Sequence, residues 1–192
     1  MGSYKYINET FQNEYKERSQ LLKNRISAWS VEPSVFRIER PTNIARAREL
    51  GYKSKQGVVM ARVRVLGGLR RRRAIAGGRK PSRSGQFFSY DKSLQSIAEE
   101  RAARKFSNCE VLNSYYVAQG NNYKFFEVIL LDRSSPSIKS DSAYASVIAK
   151  HGRAYRGLTS SGRKHRGLLR KGFGTEKNRP SVRSGRRGLQ NV

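Results

Sequence analysis

The chain has 192 residues, with 40 Lys and Arg against 14 Asp and Glu, so its formal net charge is +26. A 36% hydrophobic fraction that includes 8 Phe and 10 Tyr supports a packed core and argues against a wholly disordered chain. No apolar run exceeds that of Val128 to Leu131, which falls far short of the roughly 18 residues a membrane span needs.

Tyr4, Ile7, Phe11, Tyr15 and Leu22 recur on one helical face opened by Ser3, which predicts a helix over that span, with Arg25 to Pro33 as a connection. Val35 to Arg40 reads as a short strand with Phe36 and Ile38 on one face, ended by Pro41. Thr42 is placed to cap a helix through Leu50, with Gly51 as its stop. Val58 to Val65 alternates: Val59, Ala61, Val63 and Val65 face one way, and Met60, Arg62 and Arg64 the other, which predicts a half-buried strand with a basic outer face.

From Leu66 to Tyr90 the apolar period disappears among Gly67-Gly68, Arg70 to Arg73, Gly77-Gly78 and Pro81. A structureless loop this long is uncommon inside a domain and is usually functional or ordered by a partner. Ser93 then opens a helix carrying Leu94, Ile97, Ala98, Ala102 and Phe106 on one face. Val111 to Ala118 and Tyr123 to Leu131 form two strands joined by Gln119-Gly120-Asn121-Asn122, a hairpin. Asp141 to Lys150 reads as a weaker helix, and after His151 the chain is rich in Gly, Arg and Ser. The order of elements predicts an α+β fold: a small mixed or antiparallel four-stranded sheet in strand-helix-strand-helix-strand-strand order, with a long basic loop and a basic C-terminal extension.

The charge is uneven. Residues 50–90 carry 11 basic and no acidic side chains, residues 151–192 carry 12 basic against Glu176 alone, and residues 91–132 between them sum to −1. This suggests a globular core over residues 1–150, bearing a basic loop at 66–90, and an extension over 151–192, each basic segment removable without unfolding the core. Arg outnumbers Lys 26 to 14, and its planar fork matches phosphate oxygens and stacks on bases. Nucleic acid is therefore the favoured partner.

Arg70 to Arg73, with Arg79, Lys80 and Arg83, form an arm suited to thread between phosphate backbones; the alternatives are a nuclear-import signal or a solvated run. In the C-terminal stretch, Arg-Gly steps at Arg156, Arg166 and Arg187 let backbone approach phosphates, either in a segment ordered on binding or in a loose RGG-like tail. Tyr52, Phe87, Phe88 and Tyr90 border the arm and are candidates for base stacking or for packing at its root. Trp29 reads as packing, and Cys109 as an inert buried thiol whose solitude excludes an internal disulfide framework and fits a reducing compartment. The early acids Glu9, Glu14 and Glu17 argue against a transit peptide, and Tyr6 stands where a myristoylation signal needs Ser or Thr.

Catalytic patterns are weak. His151 and His165 have no ligand cluster around them, and Glu99 and Glu100 point about 100° apart on a helix, which suits pairing with the Arg101–Lys105 stretch. Gly172-Phe173-Gly174 lacks the context of a phosphate loop. No catalytic residue and no metal site is assigned.

The opening MGSYKYI, RPTNIARARELGYKSKQG (Arg40 to Gly57), SLQSIAEERAARK (Ser93 to Lys105), VLNSYYV (Val111 to Val117), YKFFEVILLD (Tyr123 to Asp132) and RGLTSSGRKHRGL (Arg156 to Leu168) together resemble the large-subunit ribosomal protein family fifteen-e of archaea and eukaryotes. The resemblance implies a core of the element order read above, embedded in large-subunit rRNA by its loop and tail, with a structural, non-enzymatic role in the cytoplasmic ribosome.

The expected RNA-binding residues are Lys53, Lys55, Arg62 and Arg64 on the core. On the arm they are Arg70, Arg71, Arg72, Arg73, Arg79, Lys80 and Arg83, and in the extension Arg153, Arg156, Arg163, Lys164, His165, Arg166, Arg170 and Lys171. The expected partners are large-subunit rRNA and neighbouring ribosomal proteins, with no membrane and no small-molecule substrate. No cofactor is expected, Mg2+ entering only as a counterion of the RNA. The alternative is a free RNA chaperone or a chromatin-type nucleic-acid-binding protein.

Overall fold

The computed structural model describes residues 2–88, 92–169 and 178. The N-terminal apolar period belongs to two helices rather than one. Helix α1 (Tyr4–Glu17) ends at Arg18, whose φ of 49° is left-handed, and Ser19 restarts the chain by accepting the Leu22 N–H at α2 (Gln20–Val31). The predicted connection after Arg25 is therefore helical. Trp29 sits on its inner face, packed edge-on against Phe125.

Strand β1 (Val35–Ile38) leads to the short helix α3 (Ile44–Glu49), which Asn43 caps by accepting the Arg46 N–H. Thr42, expected as the cap, instead donates its hydroxyl and its N–H to the carboxylate of Glu127. Gly51 stops the helix at φ 96°, a conformation that L side chains rarely adopt.

After β2 (Val58–Leu66) the chain leaves the sheet. The loop expected to be structureless holds a two-stranded ribbon, with β3 (Arg70–Arg71) paired antiparallel to β4 (Phe87–Phe88), and a single 3-10 turn at Pro81–Arg83. Helix α4 (Leu94–Lys105), capped by Ser93, then returns to the core, followed by the β5 (Cys109–Gln119) and β6 (Tyr123–Asp132) hairpin.

The sheet order is β1-β2-β6-β5 with every pairing antiparallel, which settles the mixed-or-antiparallel alternative. Both faces are covered. On one, Val35, Ala61, Val63, Val65, Phe126 and Val128 pack under Ala98 and Ala102 of α4; on the other, Met60, Val117, Phe125 and Ile129 pack under Leu22 and Trp29 of α2 and Ala47 of α3. Coverage on two faces explains why β6 is almost continuously apolar. Each fully buried large side chain there contributes roughly 1.5–3 kcal/mol.

The predicted outward basic face of β2 is thus a packed face. Met60 is buried and only 11% of the Arg62 side chain is exposed. Its guanidinium lies 4.1 Å from the centre of the Trp29 ring and forms ion pairs with Glu32 at 3.1 Å and Glu127 at 3.8 Å. Glu127 is itself fully buried, and Thr42 and the Tyr115 hydroxyl also donate to it.

Beyond β6, α5 (Pro136–Lys139) and α6 (Ser142–Ile148, capped by Asp141) pack Ile138 and Tyr144 against Leu131. The weak helix predicted from Asp141 is α6. The next segment, rich in glycine and arginine, lies folded on the core and forms a further helix, α7 (Ser160–His165).

Candidate nucleic-acid interface

The arm is the most exposed cationic feature among the described residues. Residues 71–87 are all exposed, and they carry Arg71, Arg72, Arg73, Arg79, Lys80 and Arg83 without one carboxylate. The backbone of Arg70 pairs with Phe88, while its side chain lies outside the described atoms. Arg72 is tied at both ends. Its N–H donates to Gln86 O, and its guanidinium lies 4.1 Å from the centre of the Phe88 ring, so Phe88 packs at the arm's root. Phe87, 63% exposed, keeps a face available for stacking, whereas Tyr52 packs into the core and Tyr90 lies outside the described residues. Gly77 and Gly78, at φ 82° and 80°, hold the left-handed backbone at the far end of the arm.

The core cations expected to form a platform are partly committed. Lys53 and Lys55 both donate to Asp141, at 2.9 and 3.2 Å, and these bonds, Lys53 first, lower the Asp141 carboxyl to about 2. Lys53 keeps half of its side chain in solvent. Arg64 stacks on Tyr123 and donates to the carbonyl of Ser30, and Arg62 is the internal ion-pair partner described above. The charge alternation of β2 registered these two arginines, but nothing local in the sequence pointed to Glu32 or Trp29, about thirty residues away.

Two buried carboxylates hold the C-terminal segment. Glu110 accepts from the Gly152 and Arg153 N–H groups, at 2.8 and 3.3 Å, and its Oε1 lies 2.7 Å from His151 Nδ1. Glu99, expected to pair with solvent-facing cations, is 1% exposed. Its carboxylate accepts the hydroxyls of Ser114 and Thr159, the second at 2.5 Å, and burial pushes its pKa up. Thr159 in turn caps α7 by accepting the Gly162 N–H at 3.1 Å. A Cβ on Gly162 would come within 2.5 Å of Gly157 Cα, so the turn before α7 closes backbone to backbone.

This docking divides the expected C-terminal ligands. Arg153 points inward, donating to the carbonyls of Val111 and Leu112, and burial lowers its pKa. Arg166 reaches the carbonyls of Arg156 and Gly157, and His165 lies 3.0 Å from the buried hydroxyl of Ser96, with burial lowering its pKa. Arg156, Arg163 and Lys164 are exposed. Arg170 and Lys171 lie outside the described residues. Sequence reasoning missed Glu99, Glu110 and Thr159 as the groups that position this surface, because none of them carries a local signal of its distant partner.

Among the described residues no acid–histidine pair lines an open cleft: His151 sits on Glu110, His165 on Ser96, and Glu99 is sealed. Among the described residues no three His, Cys, Asp or Glu side chains gather as a metal site, and no helix is long and apolar enough to cross a membrane. Cys109 is buried, and burial pushes its thiol up to about 11, which matches the inert reading.

The family described as Ribosomal L15 matches residues 2–185, nearly the whole chain. The chain belongs to the ribosomal L15e family. It is similar to the large ribosomal subunit protein eL15 of Methanocorpusculum labreanum, at 50% identity over 166 residues covering 86% of each chain. The resemblance carried by the sequence blocks and the antiparallel α+β core agree with that membership. The family is one of structural ribosomal proteins rather than enzymes.

Proposed function

We propose that the chain is a structural constituent of the large ribosomal subunit that binds and stabilises folded rRNA in the cytoplasmic ribosome, beside neighbouring ribosomal proteins. The observation that carries this reading is the arm: six exposed cations, no carboxylate over residues 71–87, and a ribbon that lifts them off the sheet. Arg156, Arg163 and Lys164, presented on the docked segment, add a second cationic surface.

The contacts are to phosphate and ribose. A-form RNA hides its base edges in a deep, narrow major groove, so a cationic arm reads the shape of the backbone. Affinity then depends steeply on salt, with a log–log slope of roughly −0.7 to −0.9 for each phosphate neutralised. Filter binding of the full chain to a large-subunit rRNA transcript across a salt series tests this: a slope near zero overturns it. Sedimentation separates the reading from a free RNA chaperone, since a subunit constituent travels stoichiometrically with the large subunit.

A further inference from the structure

Neither the arm nor the docked segment uses the cations at the end of α4. Arg101, Arg104 and Lys105 stand three and four residues apart along a helix of about 3.6 residues per turn, so they share a side. That side meets the sheet edge: with Pro33, Ser34 and Val35 they line an open cleft of about 430 Å³. Two of them are held in place by backbone. Lys105 Nζ donates to Val35 O at 2.8 Å, and Arg101 Nη1 to Arg64 O at 3.1 Å. Each bond uses one donor out of the three of an ammonium or the five of a guanidinium, which leaves the rest for a ligand.

The nearby carboxylates are spent elsewhere. Glu32 pairs with Arg62 on the opposite face of the sheet, Glu99 accepts from Ser114 and Thr159, and Glu100 pairs with Lys92 at 2.6 Å. Among the described residues none of the three cations forms an ion pair with a carboxylate. Compensation of the helix dipole accounts for cations in the last turn, Arg104 and Lys105, yet not for Arg101 bridging across to β2. Arg37, on the same face of β1 as Val35, extends the cationic edge. At its other end the cleft points toward the departure of the arm, since the Arg64 carbonyl gripped by Arg101 lies two residues before β2 ends at Leu66.

We propose that this cleft is a phosphate-backbone site for an RNA strand that runs from the root of the arm along the edge of β1. The proposal rests on the RNA-binding reading above and names a contact surface which that reading leaves out. RNA is the occupant because the cleft continues the cationic track of the arm, and because no aromatic ring lines it, so its ligand is the repeated phosphodiester rather than a base.

The test uses the full chain and a large-subunit rRNA transcript. The R101Q/R104Q/K105Q variant is expected to weaken binding at moderate salt and to flatten the log–log salt slope by about 2–3. Arg104, whose side chain makes no hydrogen bond among the described residues, supplies the control for folding: Arg104→Gln alone is expected to flatten the slope by about 1 with an unchanged melting curve. A Ser34→Cys variant carrying a tethered iron chelate is expected to cut the rRNA backbone beside the cleft, the native Cys109 being buried. Unchanged slopes and no cuts from position 34, while Gln at Arg70 to Arg73 still weakens binding, overturn the cleft and leave the RNA reading intact. Unchanged binding in the arm variant as well overturns both. With the chelate-bearing chain assembled into the large subunit, cuts in an acidic ribosomal protein rather than in rRNA replace RNA by protein as the occupant and overturn the proposal.

Discussion

The arm and the C-terminal segment belong to sequence blocks of the same excess charge, +11 each. The fold treats them differently. The arm lifts away from the sheet with its cations exposed and a two-pair ribbon at its root. The other segment lies on α4 and β5, its His151–Thr159 stretch bound by Glu110 at one end and Glu99 at the other. The difference comes from the near-neutral middle of the chain: two of its acids, Glu99 and Glu110, anchor one basic segment, and among the described residues no carboxylate pairs with the cations of the other. Net charge locates a binding surface, but the position of buried carboxylates decides whether that surface is preformed.

The largest effect expected from this contrast is on truncation. Ending the chain after Lys150 removes the partners of two buried carboxylates and the Ala154 contact with the core; it is expected to cost about 3–5 kcal/mol or more and to abolish a cooperative melt by circular dichroism. Ending it after Leu169 spares every one of these contacts and is expected to keep a cooperative melt. A stable fold after the shorter truncation would break the contrast and restore a removable extension. Replacing Arg70 to Arg73 with Gln is the converse experiment: an unchanged melt, with a salt slope flattened by about 3 in rRNA binding.

Arg62→Gln sharpens the division between structural and binding arginines. It leaves Glu127 buried with one cation fewer, so a loss of about 2–3 kcal/mol in denaturant unfolding is expected, with no change in salt slope. The smallest effect concerns Glu99. Because burial raises its pKa in the folded state, the folded protein holds the proton more tightly than the unfolded chain. Its contribution to stability is then greatest below the ordinary carboxylate value and falls as pH rises through the raised one. Glu99→Gln is expected to remove that decline, and melting curves taken from about pH 4 upward check it.

Local chemistry carried much of this fold in the sequence. The strand at β2, the Ser93 cap of α4 and the hairpin turn after Gln119 are statements about neighbours and stand as read, while the basic outer face expected of β2 does not. The break between α1 and α2 was hidden because Arg18 adopts a left-handed conformation with no glycine or proline to announce it. Arg62 looked solvent-facing because the Trp29 and Glu127 that enclose it arrive from other elements, and Glu99 looked exposed because its neighbours in sequence are charged. For the interface, the arm was legible as a run of arginines without acids. The cleft beside β1 was not, since Arg101 to Lys105 stand next to Glu99 and Glu100, whose charges the fold turns away.

The paired left-handed glycines at 77 and 78 lie about halfway along the arm, so the chain runs out for eleven residues from Leu66 and then doubles back. At about 3.3 Å per extended residue, its greatest reach is roughly 35 Å. A compact core of this size has a radius of gyration of only about 14 Å. The tip can therefore engage RNA more than a core radius away from the strand lying at the sheet edge, and one small protein can splint two segments of rRNA that would otherwise share no common support.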